Sequence, residues 1–244
     1  MKFIVIEGFE CSGKTTTVKL LEEGLISNGY KVKVVRNPGT SETSEIIRDL
    51  VLNAKVSSNI ATELMFLSAM LENVNRYIFS NNDYDFIIFD RYVESHICYN
   101  KVDYSTIGFI KKLFFKKDFI VPDFTIMLTN HGSLESLNRK ENKDEIEKEL
   151  LETNYGEEVM TKYAALSYLY LTESKSINYV ELTGELPTKL VEMIYTLEHS
   201  LGDDLDFDIR PYIPLDYTEI KNNGTKEDLV KAVKELMVEK LLCR

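Results

Sequence analysis

The chain has 244 residues, 44% of them hydrophobic, which suits one α/β domain with a sizeable core and an appendage. A net charge of −11 leaves no broad basic face, so a nucleic-acid polymer is a poor partner, and any bound polyanion must be met by a few local Arg and Lys residues and a metal ion. Cys11, Cys98 and Cys243 are scattered, form no CxxC pair and fit a reducing compartment, while no stretch approaches the roughly 18 apolar residues of a membrane span.

"KFIVIE", 2–7, reads as a buried strand, too short for a secretory h-region, so the protein is expected in the cytoplasm. Val18, Leu21 and Leu25 share one face of a helix over 14–28. "YKVKVV", 30–35, alternates as a second strand. "RNPGTSET", 36–43, is a loop, and a helix follows to about Asn53. A long helix over 62–79 places Leu64, Leu67, Leu71 and Val74 along its seam, and "DFIIFD", 85–90, is a buried strand ending at an acid. A helical stretch over 104–117 leads to a strand at 122–128, a charge-dense helical run at 134–151, a Tyr-rich helix at 154–173, a strand at 178–182 and a helix carrying Leu190, Ile194 and Leu197. Strand and helix in alternation imply a parallel sheet covered on both faces. Residues 202–217 read as an irregular linker. Thr225 then caps a terminal helix that docks through Leu229, Val233, Leu236 and Met237.

Chemistry concentrates first in "GFECSGKT", which fits GxxxxGK[ST] at Gly8, Gly13, Lys14 and Thr15 between a strand and a helix. Glycines let successive N–H groups point inward, and the helix N-terminus adds its positive end. Cys11, Ser12 and Thr16 complete this phosphate cradle. Lys14 reaches the β- and γ-phosphates of a nucleotide, and Thr15 holds Mg²⁺. Asp90, at the end of a buried strand, is placed to act on the metal's water, and Arg91 follows at once. Charges there are costly unless paired. "LTNHGS" supplies no guanine-reading NKxD, which argues against a GTPase switch.

Six segments, in order, resemble the thymidylate kinase family: "EGFECSGKTT", "RNPGTSE", "IIRDLVL", "ELMFLSA", "DRYVESHICYN" and "PDFTIML". The resemblance runs through most of residues 1–200 and implies a P-loop fold with a five-stranded parallel sheet and a short lid. It leaves 201–244 as a C-terminal extension. It implies transfer of the ATP γ-phosphoryl group, with Mg²⁺, to a deoxynucleoside monophosphate, dTMP foremost, and a homodimer formed through helix faces. Arg36 and Arg91 would then hold the acceptor phosphate, with Arg48 as a third candidate. Glu10, where the family usually has Asp, would meet the sugar 3′-hydroxyl or a phosphate-bound water. Phe66 would stack on the base. Ser95, His96, Tyr99 and Asn100 would line the base and sugar pocket, and adenine would lie near Thr183–Leu186. Cys11 cannot neutralise developing charge, so the lid, 137–149, must supply it through Arg139 first, then Lys140 and Lys143.

The departures from the family pattern cluster on the acceptor side. The base-reading arginine is replaced by Met70, or by Leu71 if the alignment slips by one. The second glycine of the PGG loop is missing. Asn100 stands for glutamine, and His96 for a small polar residue. Another pyrimidine deoxynucleotide, a deoxynucleoside, or nucleotide binding without catalysis are the alternative readings.

Overall fold

The computed structural model describes residues 1–53, 56–80, 83–99, 101, 120–129, 145–173, 217–221 and 225–242. Five strands form one sheet: β1 (Lys2–Gly8), β2 (Val32–Arg36), β3 (Phe86–Asp90), β4 (Phe124–Thr129) and β5 (Tyr217–Lys221). Their order is β2-β3-β1-β4-β5, and every pairing is parallel. The chain order reverses at β1, whose neighbours β3 and β4 lead away to opposite edges. Ligands of such sheets bind beyond the carboxyl ends of the strands at this switch point.

β1 alternates large apolar residues to both sides, as a strand covered on both faces must. Phe3 and Val5 join Phe89 beneath α3 (Asn59–Val74), α4 (Val93–Cys98) and α6 (Tyr155–Glu173). Ile4 and Ile6 join Ile88 and Ile126 beneath α1 (Lys14–Ser27) and α7 (Lys226–Leu236). α2 (Glu42–Asn53) packs against α3, and α5 (Glu145–Glu152) against α6. Fold class therefore agrees with the sequence expectation, including the layers.

Four local expectations change. β2 begins at Val32 rather than residue 30, because Gly29, at φ +86, turns the chain after α1 and the Tyr30 N–H bonds back to the Leu25 carbonyl. α3 begins at Asn59, where the Ser58 side chain accepts from Ala61 N–H, and its last turn widens into a π segment, Asn75–Phe79. Its core face is Leu67, Met70 and Val74, whereas Leu64 is exposed. The fourth change is β5. The stretch 217–221 pairs with β4 from Thr125↔Tyr217 to Thr129↔Lys221, and the Thr129 hydroxyl donates to Glu219 at 2.7 Å. The expected strand at 178–182, the helices at 104–117 and after 182, and residues 202–216 of the expected linker lie outside the described residues, while its last residue, Tyr217, opens β5.

α7 opens with a capping box between Thr225 and Asp228 and buries Leu229, Val233 and Leu236. It runs on through a π segment, and Met237 lies directly over Gly24 of α1. A Cβ on Gly24 would stand 2.2 Å from the Met237 methyl carbon, so any larger residue there would have to displace the end of the Met237 side chain. Among the described residues, no helix is long and apolar enough to cross a membrane.

Candidate active site

The loop from β1 into α1 folds as a phosphate cradle because its residues tolerate the turns it needs. Gly8 has φ +144, and a Cβ there would meet the Leu128 carbonyl at 2.3 Å. Cys11 and Gly13 also have positive φ, 57° and 102°. Lys14 is buried, and its ammonium donates to the Gly8 and Phe9 carbonyls at 2.9 and 2.6 Å. Burial pushes its pKa below the usual lysine value, and Arg91 adds repulsion against the pull of Glu10, Asp90 and Glu7. An anion in the cradle would relieve both costs. Ser12 is buried inside the loop, whereas Glu10, Cys11, Gly13, Lys14, Thr15 and Thr16 face a cavity of about 1100 Å³.

Asp90 and Arg91 enter the same cavity from the end of β3. Arg91 has φ 75°, a conformation non-glycine residues seldom hold unless their surroundings fix it. Here its N–H donates to the Ile6 carbonyl at 3.0 Å, and its own carbonyl accepts from the Asn37 amide at 2.9 Å. The guanidinium donates to the Ser95 hydroxyl at 3.0 Å and the Tyr163 hydroxyl at 3.1 Å, pairs closely with Glu10, and lies over the Tyr99 ring. Burial works against its charge, but Glu10, then Tyr99, Tyr163 and Glu7, outweigh burial and hold the pKa well above the arginine norm.

Beneath this group lies Glu7, fully buried. Its Oε1 accepts from Tyr92 N–H at 2.6 Å and Ser95 N–H at 3.1 Å. Its Oε2 accepts from the Ser95 hydroxyl at 2.8 Å and the Tyr163 hydroxyl at 3.1 Å. The carboxylate thus caps α4, where free N–H groups favour an anion, and anchors two of the groups that hold Arg91.

Across the cavity stands the loop after β2. Arg36 pairs with Glu45 at 2.8 Å, and Arg48 donates to the Pro38 carbonyl at 3.1 Å. A Thr40 N–H and then Arg36 hold the Glu45 carboxyl below the usual carboxylate range. Buried Asn73 of α3 pins the loop. Its amide lies 2.6 Å from Asn37 Oδ1 and 2.7 Å from the Gly39 carbonyl. Phe66 and His96 line the cavity edge-to-face, ring centroids 6.3 Å apart, and His96 Nδ1 lies 3.2 Å from Glu63 Oε2. Met70 is 1% exposed and belongs to the core, away from the lining. Lys148 and Glu149 of α5 form part of the opposite wall, and Glu149 pairs with Lys101.

One cavity therefore gathers Lys14, Thr15, Arg36, Arg48, Phe66, Asp90, Arg91, Ser95, His96 and Tyr99. Gly8 and Ser12 shape the cradle from behind. Asn100, Arg139, Lys140, Lys143 and Thr183–Leu186 lie outside the described residues. Sequence reasoning missed Glu7, Glu63, Asn73 and Tyr163. For Glu7 a signal existed: an acid within an otherwise apolar buried strand must be matched by donors. The fit to a divalent cation rests on Asp90, whose Oδ1 is buried without a hydrogen-bond partner beside a cradle that opens on the Thr15 hydroxyl. A hard cation held through water and phosphate oxygens needs few protein ligands, which suits Mg²⁺.

A family model described as thymidylate kinase matches residues 6–187. A thymidylate kinase from Orientia tsutsugamushi is 38% identical over 136 residues, covering 54% of this chain and 62% of the relative. One from Thermosipho melanesiensis is 33% identical over 200 residues, covering 80% of this chain and 94% of the relative. One from Chlamydia caviae is 31% identical over 196 residues, covering 76% and 90%. The match thus spans under two thirds of the Orientia protein but nearly all of the Thermosipho one. The cradle, the strained arginine after β3 and the matched span agree, and the chain belongs to the thymidylate kinase family.

Proposed function

We propose that the chain transfers the γ-phosphoryl group of ATP to the phosphate of a deoxynucleoside monophosphate, with dTMP as the leading acceptor. The observation that carries this reading is the placement of a P-loop lysine and two arginines, Arg36 and Arg91, around one cavity. Catalysis of phosphoryl transfer is chiefly positioning and charge neutralisation. Lys14 binds the donor phosphates through the ammonium now turned onto loop carbonyls. Arg91 and Arg36 orient the acceptor phosphate, a role suited to forked guanidinium groups. Glu10, seated on Arg91, meets the acceptor sugar or a phosphate-bound water. Thr15 and Asp90 would hold Mg²⁺, which when bound neutralises charge on the donor phosphates.

Cys11 brings no cation to the transferring group. Arg139 is the first candidate to supply one, within a lid at about 137–149, followed by Lys140 and Lys143. Phe66 stacks on the base, while Ser95, His96, Tyr99 and Asn100 line the sugar and base pocket. The protein acts in the cytoplasm as a homodimer. Exposed Ile46, Leu50, Ile60 and Leu64 on adjoining α2 and α3 favour that assembly, since exposed apolar groups so close together are unusual on a monomer. A deoxynucleoside acceptor is disfavoured, because Arg36 and Arg91 would then have no phosphate to hold.

The test is ADP release with ATP and Mg²⁺ across deoxy- and ribonucleoside monophosphates and free nucleosides. Release that depends on dTMP, and is lost in Lys14→Met, is the expected result. Release that ignores the acceptor, or that needs a free nucleoside, overturns the reading.

A further inference from the structure

The base end of the acceptor pocket contains polar groups that the phosphate network does not use. Ser95 and Tyr99 are turned to Glu7, Arg91 and Glu10. Met70 is buried in the core. Around Phe66, Asn59, Thr62, Glu63 and His96 also line the cavity, and of these Glu63 and His96 pair with each other. They meet at 3.2 Å, and both side chains are 13% exposed while lining the cavity. Glu63 and Phe66 sit three residues apart on α3, so they share one helix face. His96 comes from α4 across the pocket.

We propose that Glu63 is a positioning residue that fixes which nitrogen of His96 faces the base, and that the pair selects pyrimidines carrying an N3–H donor. This rests on the phosphoryl-transfer reading and specifies its acceptor. A carboxylate only accepts, so the imidazole hydrogen sits on Nδ1 toward Glu63. In the singly protonated ring, Nε2 is then the acceptor. Thymine and uracil present N3–H to such a group. Cytosine presents a lone pair at N3, and two facing lone pairs repel. A pocket that must pair a polar group discriminates strongly against a base that leaves it unpaired. The replacement Glu63→Met removes the acceptor at similar length. His96 is then free to carry its hydrogen on Nε2, which suits cytosine N3 instead.

Two measurements test this. Long-range ¹⁵N–¹H spectra of the full chain, which has three histidines, report the tautomer directly. Nδ1–H at His96 in the native chain, with a shift toward Nε2–H in Glu63→Met, is expected. Nε2–H or a doubly protonated ring in the native chain overturns the proposal. Steady-state ADP release with dTMP, dUMP and dCMP gives the selectivity. The ratio of kcat/KM for dTMP or dUMP over dCMP should fall at least about tenfold in Glu63→Met, carried by KM more than kcat. Glu63→Asp should restore part of it. An unchanged ratio with intact transfer overturns the proposal and leaves the phosphoryl-transfer reading standing. If the native chain turns over no monophosphate, that reading fails. Calorimetric titration of dTMP and dCMP into both proteins then decides this one. Tighter dTMP binding lost in Glu63→Met supports it, and equal or absent binding overturns it.

Discussion

Replacing Glu7 by Gln should destabilise the fold and disorder the acceptor site together. The native carboxylate is fully buried and accepts from two backbone N–H groups on one oxygen and two hydroxyls on the other, at 2.6–3.1 Å, with the Gly8 N–H at 3.3 Å from that second oxygen. Hydrogen bonds to a charged acceptor contribute about 1.5–3 kcal/mol each. Glutamine keeps one oxygen, which can hold the N–H groups of Tyr92 and Ser95. Its amide faces the Ser95 and Tyr163 hydroxyls, which must rotate to accept instead of donate. Those same hydroxyls already accept from Arg91, so accepting from the amide as well uses the second lone pair of each and leaves its hydrogen without the carboxylate. Part of two charged bonds is lost, a destabilisation of about 3 kcal/mol. With a urea slope of about 2 kcal/mol/M, the unfolding midpoint should fall by about 1.5 M with the slope unchanged. The acceptor KM should rise about tenfold, as Arg91 loses its fixed partners. A midpoint shift under about 0.2 M, with an unaltered KM, would refute the assigned role of this carboxylate.

Other substitutions probe the remaining supports. Asn73→Ala should cost about 2 kcal/mol in urea unfolding and raise the acceptor KM while sparing the ATP KM, because its amide pins the Arg36 loop and not the cradle. The lowered Glu45 pKa stabilises the native state above the ordinary carboxylate range, and that contribution is lost as pH falls through the lowered value. Glu45→Gln should therefore reduce stability at pH 7 and flatten part of the acid side of the stability–pH curve, followed by thermal unfolding from pH 3 to 7. Ending the chain at residue 200 removes β5 and α7, exposing the β4 edge and the apolar faces of Leu21 and Leu25. The truncated protein should be insoluble or unfolded by circular dichroism. Lys14→Met should abolish the thermal stabilisation that MgATP gives the native chain, about 2.7 kcal/mol at a hundredfold excess over Kd.

The cradle was legible in the sequence because its chemistry is contiguous. Gly8, Gly13, Lys14 and Thr15 act at fixed spacing, and the two glycines supply two of the loop's three positive-φ positions, the third falling on Cys11. Asp90 and Arg91 were legible because charge at the end of a buried strand needs a reason. Asn73 and Tyr163 were not, since each acts through partners 29 to 156 residues away, which no local pattern reveals, and the acid in an apolar strand that marks Glu7 does not name its partners. The fifth strand was missed for another reason. "NYVEL" at 178–182 and "YTEIK" at 217–221 have similar alternation, and each precedes a turn and a helical pattern. Periodicity cannot say which segment pairs with β4, because pairing is decided by tertiary packing. The seam of α3 slipped similarly. Leu64 fits a helical spacing, but the core contacts run through Met70.

Following the γ-phosphoryl group of ATP by ³¹P NMR, with dTMP and Mg²⁺ present, tests the central claim most directly. The expected result is stoichiometric growth of dTDP β-phosphate signal with ADP, absent without dTMP and absent in Lys14→Met. Inorganic phosphate growing in place of dTDP, or unchanged ATP beside bound nucleotide, would contradict phosphoryl transfer by this chain.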